Sequence, residues 1–150
     1  MTKKISILLT SFVFISCSSK SPKDNSVLIE ANRIHLEAEA IQSRVEPEIE
    51  KIDSLKNLLQ LKKMAKADSL ASELVNLKTD FKDWEKNLFV VPGFEHTHEG
   101  KHAHNHHEHT PAPELPADKM LEIQKEIKIN IERIDIELNK KLAQTKEILK

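Results

Sequence analysis

Met120-Leu-Glu-Ile123-Gln-Lys-Glu-Ile127-Lys-Ile129-Asn-Ile131-Glu-Arg-Ile134-Asp-Ile136-Glu-Leu138-Asn-Lys-Lys-Leu142-Ala-Gln-Thr145-Lys-Glu-Ile-Leu149 is the stretch on which the fold class turns, because two periods compete in it. Ile127, Ile129 and Ile131, then Ile134, Ile136 and Leu138, alternate with polar residues as a half-buried strand would. Met120, Ile123, Ile127, Ile131, Ile134, Leu138, Leu142, Thr145 and Leu149 instead recur at three- and four-residue steps, the pattern of one helical face. The unbroken length, the surrounding Lys and Glu, and pairs such as Glu137 and Lys141 four residues apart favour the helix. Read through Ile123, the repeat is closer to eleven residues than to seven, which predicts a nearly straight helix over 117–150. Ile129 and Ile136 fall off that stripe and are expected to widen the apolar face for a three-helix core.

Upstream of this helix the periodicity is absent from 90 to 116. Both glycines of the chain, Gly93 and Gly100, lie there with Pro92, Pro111, Pro113 and Pro116. A segment that long without a secondary-structure period is usually functional or disordered. Its centre reads Glu95-His96-Thr-His98-Glu99-Gly-Lys-His102-Ala-His104-Asn-His106-His107-Glu108-His109, with seven of the chain's eight histidines inside fourteen residues. Neutral imidazole is the commonest protein ligand for borderline metals. Next-but-one pairs such as His96/His98, His102/His104 and His107/His109 can close on one ion, and two pairs complete a tetrahedral set. The expected metal ligands are therefore His96, His98, His102, His104, His106, His107 and His109, with Glu95, Glu99 and Glu108 as further donors. The implied cofactor is a divalent transition ion: Zn, Ni, Cu or Co. The plainer reading is a solvated, low-complexity loop, since histidine-rich tracts bind metal in vitro whatever their purpose.

From Asn25 or Ser26, either able to cap a helix, a second stripe runs through Val27, Ala31, Ile34, Ala38, Ile41 and Val45 and continues at Ile49, Ile52, Leu55 and Leu59. Pro47 inside it predicts a kink near that residue or a break into two helices. The stripe turns polar at Lys62, Lys63 and Lys66 and restarts as Leu70, Leu74, Leu77, Phe81, Trp84 and Leu88. Either one very long helix runs over about 26–89, or a turn within 62–68, with Asp68 or Ser69 capping the next helix, folds the second stripe back onto the first; burial of both stripes favours the turn. Phe81 and Trp84 read as core anchors. His35, alone between Ile34 and Leu36, reads as a partly exposed histidine on a helix surface.

The first residues form an address label. Lys3 and Lys4 precede an apolar run from Ile5 to Ile15, too short to span a hydrocarbon core of about 30 Å. It ends at Phe14-Ile15-Ser16-Cys17, followed by Ser18 and Ser19, and resembles a bacterial lipobox in which cleavage leaves a lipidated cysteine. Phe14 and Ile15 depart from the commonest residues at their positions. Cys17 is the only cysteine, so no internal disulfide can form, and lipidation gives that thiol a use. The expected organisation is a signal peptide over 1–16, a lipidated tether over 17–25, a helical region over 26–89, a Pro/Gly/His-rich loop over 90–116 and a terminal helix over 117–150. The fold class is all-α, an antiparallel bundle or hairpin of two or three long helices.

Charged residues are 31% of the chain, aromatics 4%, and tyrosine is absent, a composition of long exposed helices more than of an enzyme core. The net charge of −1, with both signs interspersed, gives no basic stripe for nucleic acid. No nucleophile sits in a recognisable motif, and neither a glycine-rich phosphate loop nor His-Glu-x-x-His is present, so no enzyme is expected.

The lipobox, Val45-Glu46-Pro47-Glu48-Ile49 near the middle of the first helical region, and Asp83-Trp84-Glu85-Lys86-Asn87-Leu88-Phe89 closing the second resemble small Bacteroidota lipoproteins often labelled "viral A-type inclusion protein". Those relatives often follow the tryptophan with methionine; Glu85 here removes a soft-metal donor. The resemblance implies anchoring and a helical architecture, and carries no activity. Together these readings give a lipid-anchored cell-envelope protein, on the periplasmic side of a membrane or in the outer membrane. It would bind a divalent metal through its loop as a buffer or an accessory to a metal transporter. The alternative is a structural or adaptor lipoprotein engaging another envelope protein through its helices, with the loop incidental. Self-association is compatible with either.

Overall fold

A computed structural model describes residues 21–94 and 113–150. Among them every regular element is helical. A short 3₁₀ turn, Pro22–Asp24, leads into α1 (Ser26–Glu50), followed by α2 (Ile52–Leu61), α3 (Ala65–Lys86) and α4 (Ala117–Leu149). No helix among the described residues is long and apolar enough to cross a membrane.

Local chemistry explains most of the boundaries. Asn25 caps α1, its side chain accepting a hydrogen bond from Val27 N at 3.0 Å, which satisfies one of the donors a helix start leaves orphaned. Pro47 does not break α1; the helix runs on to Glu50, and the interruption falls at Lys51, whose backbone stays close to helical. Loss of one backbone bond near a helix end is therefore absorbed within the last turn. Helix α2 ends in a turn at Lys62–Met64, with Lys63 in the left-handed region at φ 50°. Helix α3 starts at Ala65, ahead of Asp68 and Ser69, so neither residue caps it. The earlier start places Ala67 in the core, and Asp68 instead meets the helix dipole favourably from the first turn.

Cross-helix pairs give the topology. His35 meets Gln124, Glu37 meets Lys128 at 2.7 Å and Arg44 meets Asp135 at 2.6 Å. Both numbers rise together, so α1 and α4 run parallel. Trp84 meets Ile127, Asp80 meets Arg133 and Glu73 meets Lys141 in descending order, so α3 runs antiparallel to α4. Lys78 on α3 reaches Asp53 on α2. The bundle is thus up-down-up: α1 and α2 form the first arm, α3 returns, and α4 rises beside the first arm. Hydrogen bonds from Lys128 and Lys141 hold the carboxyls of Glu37 and Glu73 below the usual glutamate range. These pairs are partly exposed, so they tune register more than they add stability.

The main core joins Ala38, Val45, Ile49, Ile52 and Leu59 of the first arm to Leu70, Leu74, Leu77, Phe81 and Trp84 of α3 and Ile127, Ile131, Ile134 and Leu138 of α4. A smaller cluster of Leu28, Ala31, Val91 and Met120 closes the end where the chain enters. Every residue of both clusters lies between Leu28 and Leu149.

Two expectations for α4 are corrected. Ile129 and Ile136 do not widen the core; they are 62% and 66% exposed. Their side of the helix points away from both α1 and α3, and no other described helix covers it. Gln124, not Ile123, is the fully buried residue after Met120. The inner face therefore reads Met120, Gln124, Ile127, Ile131, Ile134, Leu138, which is a seven-residue and not an eleven-residue repeat.

Candidate functional site

Cys17, His96, His98, His102, His104, His106, His107, His109, Glu95, Glu99 and Glu108 all lie outside the described residues. Their flanks do not. Phe94, the last described residue before the loop, and Leu115, just after it, pack against the same small cluster of Leu28, Ala31, Val91 and Met120. The chain thus leaves and re-enters the bundle at one end, and that end also carries the start of α1. Gly93 fixes the contact: its φ is +81°, and a Cβ there would fall 2.7 Å from the Pro22 side chain. Only glycine fits so close an approach in a left-handed conformation. The segment before the loop is consequently held against the 3₁₀ turn Pro22–Asp24.

Directly beneath this end lies a buried polar group that the sequence reading misplaced. His35 is fully buried, not partly exposed. Its Nδ1 lies 3.3 Å from Oε1 of Gln124, itself fully buried, and its Nε2 lies 3.2 Å from Oε1 of Glu39, one turn on. Gln124 Nε2 donates to the Phe89 carbonyl at 3.0 Å. Because that carbonyl can only accept, the amide nitrogen must face it, leaving Oε1 to accept from His35 Nδ1–H. The network ties α1, α4 and the chain beyond α3 together at one point. Burial of His35 follows from the packing of both α4 and the 88–91 segment on α1, which covers more of the helix than its apolar stripe predicts. The available signal was spacing: position 35 falls in step with Leu28, Ala31 and Ala38, and position 124 with Met120, Ile127 and Ile131.

Trp84 sits one layer further along. It is 6% exposed, its ring stacks on Phe81 with centroids 5.9 Å apart, and its Nε1 donates to the Ile127 carbonyl at 2.8 Å. Both aromatics are core anchors, as their place in the stripe implied. Trp84 also floors an open groove of about 630 Å³ between α3 and α4, with Phe89 and Ile123 beside it and Asp80, Asp83 and Arg133 along its rim. Among the described residues no three His, Cys, Asp or Glu side chains converge as a metal-holding group. The His35 network has one histidine, one carboxylate and one amide, with Nδ1 engaged by Gln124 and Nε2 facing the Glu39 carboxylate.

No known protein family, curated protein or solved structure matches this chain.

Proposed function

We propose that this is a lipid-anchored cell-envelope protein that binds a divalent transition metal, Zn, Ni, Cu or Co, through the histidine-rich loop, without catalysis of its own. The observation that carries the reading is the density of donors: His96, His98, His102, His104, His106, His107 and His109 within fourteen residues, with Glu95, Glu99 and Glu108 among and beside them. The bundle supports it as a frame. Both loop flanks are pinned in one apolar cluster, so ordering the loop around an ion requires no rearrangement of the helices. Pinning also shortens the span that must be closed, lowering the entropy cost of ligation. The resemblance to small Bacteroidota lipoproteins supports the anchor and the helical frame only.

Titration calorimetry on the mature protein with Zn²⁺, Ni²⁺ and Cu²⁺ tests the metal reading. Imidazole must be neutral to ligate, and unperturbed histidine has a pKa of about 6.5, so affinity should fall sharply between about pH 7 and about pH 5.5. Replacing His102, His104, His106, His107 and His109 by alanine should remove most of the heat, while helix content stays unchanged. Equal affinity in that variant would place the ligands elsewhere. Binding no tighter than about millimolar, near 4 kcal/mol, would leave the loop a spacer. The adaptor reading would then lead, favoured by the exposed Ile129 and Ile136 on the outer face of α4.

Anchoring has its own test. Metabolic labelling with a lipid precursor should mark the wild type, and Cys17→Ala should abolish the label and release the protein from membranes washed at high salt, which removes charge-dependent contacts. An unlabelled, soluble wild type would remove the anchor from the proposal.

A further inference from the structure

The end of the bundle opposite the loop has a different character. Leu61 is 75% exposed, Met64 50% and Leu58 48%, so three large apolar side chains project from the α2–α3 turn. Beside them a shallow groove of about 390 Å³ runs between α2 and the last turns of α4, walled by Leu55, Leu142 and Leu149. Lys62 reaches across to the Leu149 carbonyl at 3.4 Å, which joins the two segments into one surface. Residues 56–68 and 142–150 together carry six lysines, Lys56, Lys62, Lys63, Lys66, Lys146 and Lys150, against two carboxylates, Asp68 and Glu147. The chain as a whole has a net charge of −1, so this tip is a local basic excess. Soluble surfaces seldom group exposed leucines without a use.

The turn itself is not built for stability. Lys63 occupies the left-handed position after α2 at φ 50°, where glycine ends a helix with least strain. Met64 precedes α3 without any side-chain cap. The two positions where glycine and a short polar residue would fold best hold instead a cation and an exposed apolar side chain.

We propose that this tip docks on an anionic lipid bilayer. Leucine and methionine would enter the headgroup boundary while the lysines, on long flexible stems, meet the phosphates. Charge complementarity selects this occupant over a neutral apolar partner, which would leave several lysines without counter-charge. The tip lies at the far end of α4 from the loop, about 50 Å away at 1.5 Å per residue over its 33 residues. The surface does not depend on lipidation of Cys17.

Vesicle co-sedimentation of a soluble form spanning residues 18–150, which keeps every described packing residue, separates the two. At alkaline pH and low salt it should bind vesicles of phosphatidylcholine mixed with phosphatidylglycerol at least about tenfold more tightly than phosphatidylcholine alone, and added salt should weaken it. The combined variant Leu58→Ser, Leu61→Ser, Met64→Ser should lose about tenfold or more, as should Lys62→Glu with Lys63→Glu, both with unchanged helix content. Ile129→Ser with Ile136→Ser, equally exposed but remote from the tip, should bind as wild type does. Equal binding to both vesicle types, wild-type binding by the tip variants, or loss confined to the α4 variant would each overturn the proposal. So would capture of polyglutamate by a protein that ignores the vesicles, since the tip would then serve an acidic polypeptide.

Discussion

Trp84→Ala is expected to lower the unfolding free energy by about 3–5 kcal/mol, read as the shift in a urea or thermal transition. Three losses combine. The indole is 6% exposed and fills the space between α3 and α4. Its stacking on Phe81 adds an aromatic contribution of about 0.5–1.5 kcal/mol beyond area. Its Nε1–H hydrogen bond to the Ile127 carbonyl, 2.8 Å long, is worth about 1 kcal/mol net. Domains of this size hold only about 5–15 kcal/mol in total, so the loss is a large share of the whole. Trp84→Phe should recover most of the packing and not the hydrogen bond, and should fall between the two. A Trp84→Ala loss below about 1 kcal/mol would mean that α3 and α4 do not close on the ring as the structure describes.

Gln124→Leu is expected to cost about 2–3 kcal/mol, although leucine fits the apolar pattern of α4 better than glutamine does. The substitution leaves His35 Nδ1 and the Phe89 carbonyl without their partner, and an unpaired buried polar group costs about 1–3 kcal/mol. His35→Leu alone should cost a similar amount, since the Gln124 carbonyl oxygen would then be stranded. Combining the two should cost clearly less than their sum, because the second change removes a group the first had already orphaned. A double-mutant cycle measures that coupling, expected at about 1 kcal/mol or more. Strict additivity would show that the two residues are buried side by side without acting as a pair. A buried polar pair at matching core positions of two helices also fixes their relative register. The double-leucine protein should therefore show broader amide resonances along α1 and α4.

The two effects sit at different depths in the molecule. Trp84 belongs to the apolar core shared by all four helices, whereas the His35–Gln124 pair lies between the parallel α1 and α4, next to the end from which the loop leaves. Both the loop flanks and the start of α1 converge on that end, and the basic, apolar turn lies at the other. The two ends of the bundle therefore differ in chemistry.

How much of this could be read from the chain alone follows from what a one-dimensional pattern can encode. The helical region over 26–89 and the terminal helix over 117–150 are visible because an apolar residue every three or four positions is a property of one segment by itself. Isoleucine at 127, 129 and 131 did not make a strand, since the helical repeat continues for nine turns and the alternation does not. The glycine and proline content of 90–116, the polar interruption at Lys62 and Lys63 and the expected burial of Trp84 and Phe81 are likewise local. The histidine cluster is legible as chemistry and as nothing more, because its residues lie outside the described structure.

What only the tertiary structure decided is which side of each stripe faces inward. Ile123 and Gln124 are adjacent, and both lie near the apolar face; composition favours the isoleucine. Glutamine is the buried one because the Phe89 carbonyl and His35, 35 and 89 residues away in sequence, arrive to satisfy both ends of its amide. Ile129 and Ile136 stay in solvent for the converse reason: α4 has neighbours on one side only. A polar side chain can be buried when partners come from elsewhere in the fold, and an apolar one is left out when none does. Neither fact is written in the segment that carries the residue.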